Sequence, residues 1–173
     1  MRFFIQFTMV LLLSQHWQVA ADAPRQMLLS RHMEKATGSQ DPALSACGLA
    51  QAQALAAQWQ QTPLPWLLHT PFQRTKQTAQ AFLQADRQLI SYDPRQVEQL
   101  IAILNNKPGN VLVVGHSNTI PALVSKLTGQ AVAPLGEQEY GRFYLLTEHN
   151  DGWQLQVHQL SAPAQCQSAQ ATQ

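Results

Sequence analysis

Three short apolar runs punctuate the chain, and each breaks abruptly into polar and charged residues. Met27-Leu28-Leu29-Ser30 runs into Arg31-His32, Trp66-Leu67-Leu68 into His69-Thr70-Pro71-Phe72-Gln73-Arg74, and Val111-Leu112-Val113-Val114 into Gly115-His116-Ser117-Asn118. Apolar stretches of this length have the pattern of strands buried on both faces. Between them the period changes. Leu49, Ala52, Leu55, Ala56 and Trp59 recur at three-and-four spacing behind Ser45 as N-cap, and Thr62-Pro63 sets the limit of that helix. A second helix is predicted from near Thr75 to about Gln84, with Ala79 and Phe82 or Leu83 inward. A third follows Pro94 and turns Val97, Leu100, Ile101 and Leu104 inward, and Pro108-Gly109-Asn110 then makes the turn into the Val111 strand. A fourth carries Ile120, Leu123, Val124 and Leu127 and ends at Gly129. Two late strands, Arg142 to Thr147 and Trp153 to Leu160, are joined through Asn150-Asp151-Gly152 as a hairpin. Strands alternating with helices, followed by a hairpin, predict an α/β fold: a mostly parallel central sheet flanked by helices, with an antiparallel edge hairpin. Residues 163–173 are rich in Gln and Ala without periodicity and are expected to be a disordered tail.

The first residues follow a different logic. Arg2, the apolar run from Phe3 to Leu13 and the small residues at Val19-Ala20-Ala21 have the order of a secretory signal peptide, expected to be cut after Ala21. The apolar run is too short to span a bilayer, so no stable membrane anchor is expected. The remainder, about 150 residues, is the size of one domain, placed at 22–162. Formal net charge is +1, and zero once Arg2 leaves, with charged residues only 12% of the chain. No basic run interleaves with aromatics, which disfavours nucleic acid as a partner. A periplasmic or secreted location permits a disulfide, and two cysteines allow one pairing, Cys47 with Cys166. The sequence does not bring them within bonding distance, so a bridge and two free thiols both stand.

The candidate chemistry lies at the three strand ends. In an open α/β sheet, ligands bind beyond the carboxyl ends of the parallel strands, where residues far apart in sequence converge. The set that would meet there is Arg31, His32, Arg74 and His116. Two guanidiniums and two imidazoles without a carboxylate make a pocket for an anion, most simply a phosphoryl group. No His-Glu-x-x-His or Cys-x-x-Cys spacing occurs, so neither a metal nor another cofactor is expected. His69 fits a core histidine bonded to backbone, and His149 and His158 fit the surface of the hairpin.

These segments, in this order, resemble branch 1 of the histidine phosphatase superfamily, the phosphoglycerate mutase-like proteins. The family's Arg-His-Gly stands here as Arg31-His32-Met33, and its Ser-Pro-x-x-Arg-x-x-x-Thr-Ala as Thr70-Pro71-Phe72-Gln73-Arg74-Thr75-Lys76-Gln77-Thr78-Ala79. Its later Gly-His stands as Gly115-His116. Leu44 to Ala52 and Glu139-Tyr140 are weaker matches, and the resemblance runs from about Met27 to Leu146. It implies that His32 is a nucleophile forming a phosphohistidine and that Arg31 and Arg74 hold the phosphoryl oxygens. It further implies that His116 is a protonated donor, with hydrogen bonds added by Ser117 and Asn118 at the start of the fourth helix. Met33 and Thr70 depart from the motif.

No local pattern marks the family's general acid. Asp86, Asp93 and Glu98 lie in its interval and Glu34 lies beside the nucleophile; Asp93 is retained as the candidate acid, with a helix cap as its other reading. His116 follows Arg74 by only 42 positions, too few for a capping insertion, which leaves an open pocket and weighs against a mutase. The expectation is an exported, metal-independent phosphatase acting on phosphorylated small molecules through His32. The alternatives are a phosphohistidine or phosphoprotein phosphatase and a non-catalytic phosphate-binding protein.

Overall fold

In the computed structural model, residues 23–168 are described, so the expected signal peptide lies outside the described residues. Six strands form one sheet in the order β3-β2-β4-β1-β5-β6. The strands are β1 (Gln26–Arg31), β2 (Trp66–His69), β3 (Gln88–Ser91), β4 (Val111–Gly115), β5 (Arg142–His149) and β6 (Gly152–Gln159). The first four are parallel, while β5 runs antiparallel to β1 and β6 antiparallel to β5. The α/β class, the largely parallel sheet and the antiparallel edge are therefore as the sequence pattern predicts.

Alternation along the buried strands sends side chains to two helical layers. Leu28, Leu67, Leu112 and Val114 face one core with Ala52, Leu55 and Ala56 of α1 (Ala46–Gln58) and Ala79 of α2 (Gln73–Gln80). Met27, Leu29, Leu68, Val111 and Val113 face the other. That second core is closed by Leu100 and Leu104 of α3 (Val97–Asn105) and by Ile120, Leu123 and Val124 of α4 (Thr119–Thr128). The strands contribute to both cores at once, which is why their apolar runs lack the alternation of a one-faced sheet.

Helix ends are fixed by contacts that reach across the fold. Ser45 caps α1 by accepting from the Gly48 N–H (3.0 Å) while its own hydroxyl donates to Glu34 Oε1 (2.6 Å). The helix approaches so closely that a Cβ at Gly48 would lie 2.0 Å from the Glu34 carbonyl oxygen, and only glycine fits. At the other end, buried Arg87 donates to the carbonyls of Trp59 (3.0 Å) and Thr62 (3.2 Å), a cation set against the negative end of the helix. Gly129 closes α4 at φ 71°, donating to Ser125 O.

Two expectations are corrected. The second helix stops at Gln80, and the edge strand β3 occupies Gln88–Ser91, where the sequence analysis set no strand. Four residues with polar ends and partial exposure carry too little periodicity to be seen without the β2 neighbour that pairs with them. The tail expected to be disordered forms the short helix α5 over Ala164–Ser168, tied to α1 by a Cys47–Cys166 disulfide. Residues 169–173 lie outside the described residues.

The bridge closes a loop of 119 residues, and cross-links of that span stabilise by roughly 2–4 kcal/mol in most proteins. Cys166→Ser should lower the unfolding temperature by several degrees, and reductant should lower that of the wild type alone; a wild type indifferent to reductant would show the bridge to be dispensable.

Candidate active site

The site is assembled by strand pairing. Parallel pairing of β1 with β4 sets Arg31 opposite Gly115, and the His32 N–H continues the ladder to the Gly115 carbonyl (2.9 Å). His116 is the next residue of the neighbouring strand end, so the imidazoles meet with ring centroids 5.7 Å apart and planes at 70°. A Cβ at Gly115 would come within 2.9 Å of the Ile120 and Tyr92 side chains, so any larger residue there would force them to shift. Arg74 enters from the first turn of α2, which follows the β2 end.

His32 is 3% exposed, and its Nδ1 lies 2.8 Å from the Met33 carbonyl. A carbonyl only accepts, so Nδ1 carries the proton and Nε2 keeps its lone pair. Burial, followed by the charges of Arg31, Arg74 and His116, holds its pKa down to about 3, against a backbone hydrogen bond that opposes the shift. The ring is neutral at pH 7.

Each arginine rests on an aromatic face. The Arg31 guanidinium lies 4.3 Å from the Tyr140 ring centroid, and Arg74 lies 4.6 Å from that of Phe72. Arg31, 2% exposed, also donates to the carbonyls of Gly136 (2.7 Å), Glu139 (3.0 Å) and Glu137 (2.9 Å). Its buried Nε–H has no protein partner, an unmade bond of a charged donor that an anion would satisfy. Arg74 Nη1 lies 3.4 Å from Asp41 Oδ1, and the same carboxylate caps α2 by accepting from the Gln73 N–H (3.0 Å). Asp41, Phe72 and Tyr140 are site residues that the sequence reading missed. Each acts through a contact across the fold, and none breaks an apolar run.

The remaining candidates are placed less uniformly. Ser117 and Asn118 stand at the start of α4, where the Ser117 hydroxyl donates to Glu137 (3.4 Å) and exposed Asn118 makes no side-chain cap. His69 bonds its Nδ1 to the Thr70 carbonyl (2.6 Å), as a core histidine does. Two roles are corrected. His116 was expected to be a protonated donor, but burial, with Arg74 and then Arg31 beside it, lowers its pKa to about 4. It is neutral at pH 7 and donates only through the one N–H it keeps. Asp93 was the candidate acid. Its carboxylate instead accepts from the Arg95 side chain (3.1 and 2.9 Å), the Arg95 N–H (3.0 Å) and Gln96 (3.3 Å). Those bonds hold it well below the usual carboxylate range and occupy both of its oxygens, the setting of a capping carboxylate.

The histidine shifts give a stability signature. In the unfolded chain both rings take up protons near pH 6.5, whereas in the folded protein they wait until about pH 3 and about 4. The unfolded state therefore binds more protons in that window, and stability falls as pH drops below 6.5. The loss is up to about 1.4 kcal/mol per pH unit for His32, and less for the more open His116. His32→Asn should flatten the fall in unfolding free energy between pH 6.5 and 4; an unchanged slope would mean that His32 is not held neutral by the fold.

The family model of the histidine phosphatase superfamily (branch 1) matches residues 27–99. The structure superposes on the protein histidine phosphatase SixA in complex with tungstate, with TM-score 0.64, 19% identity and coverage of 83% of this chain and 99% of that one. The alpha-ribazole phosphatase from Shigella flexneri gives TM-score 0.60, 18% identity and coverage of 79% and 96%. A mycobacterial glucosyl-3-phosphoglycerate phosphatase gives 0.61, 16%, 80% and 99%. Identities this low carry the fold and nothing finer, and no curated protein matches the chain. The family model thus spans the strand that ends in Arg31-His32 and the helix that opens on Arg74, and the sheet around them has the phosphoglycerate mutase-like fold.

Proposed function

We propose that the protein is an exported phosphatase that works through a covalent phosphohistidine at His32 and needs no metal. The observation that carries this reading is the His32 tautomer: a buried neutral imidazole with its proton on Nδ1, hydrogen-bonded to Met33 O at 2.8 Å, and its Nε2 lone pair beside two arginines. In the first step the Nε2 lone pair bonds to phosphorus, and the bond from phosphorus to the leaving atom breaks with its electron pair. In the second, water attacks the phosphohistidine, the P–N bond breaks with its electron pair returning to His32 Nε2, the water's oxygen leaves as part of inorganic phosphate, and the proton it sheds passes to solvent. Arg31, Arg74 and the N–H of His116 stabilise the non-bridging oxygens in both steps, so the positive charge that phosphoryl transfer requires comes from side chains.

The carboxylates favour one substrate class over another. Asp93 is tied to Arg95, Asp41 to Arg74 (3.4 Å) and Glu137 to Arg31 (3.8 Å), and Glu34 accepts from the Ser45 hydroxyl (2.6 Å), so each of these carboxylates already has a partner. Without a ready acid, an alkyl oxygen is a poor leaving atom, whereas an aryl oxygen or the ring nitrogen of a phosphohistidine leaves with little help. A phosphohistidine side chain on a protein is therefore the favoured second reading, and SixA, of like fold, is called a protein histidine phosphatase. Export rests on the N-terminal pattern and on the Cys47–Cys166 disulfide, a bond at home in an oxidising compartment.

Wild type in the presence of chelator should hydrolyse an aryl phosphate and a phosphohistidine peptide, and alkyl phosphates far more slowly. His32→Ala should lose on the order of 10³-fold or more in kcat. Phosphate bound through Arg31 and Arg74 with no turnover of any substrate would make the protein a non-catalytic binder. Mass spectrometry of the mature protein should find Asp22 at the amino terminus; an intact Met1 on a protein retained in the cell would remove the export reading.

A further inference from the structure

A chain of hydroxyls behind His116 has a direction set by hydrogen-bond arithmetic. Thr70 and Thr75 are both fully buried. Thr75 Oγ1 lies 2.8 Å from the Thr70 carbonyl and 2.8 Å from the Phe72 carbonyl. Carbonyls only accept, so the single hydroxyl proton of Thr75 goes to the backbone. Towards Thr70 Oγ1, also 2.8 Å away, Thr75 is left as an acceptor, and Thr70 must donate. That uses the one proton of Thr70. Towards His116 Nε2, at 3.0 Å, Thr70 has only a lone pair to offer, and the contact is a hydrogen bond only if Nε2 carries a proton.

We infer that Thr70, oriented by Thr75, is a positioning residue that fixes His116 in the Nε2–H tautomer, so that the two site histidines are held in opposite tautomers. His32 keeps its proton on Nδ1 and presents a lone pair at Nε2; His116 keeps its proton on Nε2 and, in the ligand-free site, donates it to Thr70 Oγ1. One ring is the nucleophile and the other holds a single donor, resting on Thr70 until a phosphoryl oxygen competes for it, although both rings are neutral and both feel the charges of Arg31 and Arg74. The division of labour is thus set by what each ring's hydrogen-bond partner can do, Met33 O in one case and Thr70 Oγ1 in the other. The tautomer assignment stands on geometry alone, while its catalytic consequence rests on the reading of His32 as nucleophile.

The test is long-range proton–nitrogen correlation NMR on imidazole-labelled, ligand-free protein at pH 7. The three histidines at the strand ends should divide, with His32 and His69 protonated at Nδ1, as their carbonyl partners require, and His116 at Nε2. Thr70→Ser should keep that pattern, whereas Thr70→Val, which keeps the shape and removes the acceptor, should shift His116 towards a mixture of tautomers. On an aryl phosphate, kcat/KM should fall about 10-fold in Thr70→Val, the worth of one neutral hydrogen bond, and be largely restored in Thr70→Ser. Nδ1 protonation of His116 in the wild type would overturn the inference, and so would a Thr70→Val protein with the wild-type tautomer. The wild-type spectrum decides the tautomer without any variant, and Thr70→Ala tests the hydroxyl if Thr70→Val fails to fold. An inactive wild type that still shows Nε2–H at His116 would count against the proposed phosphatase and leave the positioning role intact.

Discussion

The structure depends on one pairing, that of β1 with β4. It inserts the first strand between β4 and β5 at the centre of the sheet, and it carries its ladder one step past the strand, from the His32 N–H to the Gly115 carbonyl. Because the pairing is parallel, Arg31-His32 and His116 emerge at the same edge; an antiparallel neighbour would send one of them to the opposite end of the sheet. The β2 strand, on the other side of β4, brings Thr70 and the start of α2 to that edge. The two cores then act on the site indirectly, by holding the strands in register.

A second constraint is electrostatic. Two guanidiniums within reach of two imidazoles would repel any further positive charge, and burial disfavours it as well, so both rings stay neutral. The arginines are tolerated because each has compensating contacts: backbone carbonyls and Tyr140 for Arg31, Asp41 and Phe72 for Arg74. A phosphoryl dianion entering this environment would meet fixed cations rather than groups that must reorganise. That is the form of preorganisation on which phosphoryl transfer relies.

Much of this was legible in the sequence because the principal side chains end apolar runs. Arg31, His32 and His116 stand where a buried strand breaks into polarity, and Arg74 stands one turn beyond such a break; topology then brings them together. What was not legible acts across the fold. Asp41 lies in a loop with no periodicity of its own, yet it caps a helix that begins at residue 73. Asp93 reads as either an acid or a cap, and the bonds that Arg95 and Gln96 donate to it are ones that sequence spacing alone does not reveal. The tail is too poor in apolar residues to announce a helix, and Cys166 gains its meaning only from the position of Cys47. The state of His116 depended on burial and on Arg31 and Arg74 together, a three-body effect invisible in any one segment.

The central place of β1 has a consequence for how the protein comes into being. Its strand is among the first described segments to be synthesised, but its two neighbours, β4 and β5, begin at residues 111 and 142. The strand that ends in His32 therefore has no sheet partner until most of the chain exists, and contacts of such long sequence separation form slowly. Met27, Leu28 and Leu29 must wait exposed through that interval, which makes this short apolar run the stretch most in need of protection on the way to the folded state. The chemistry is the last thing the chain acquires: no fragment that stops short of β4 has a place for His32 to stand.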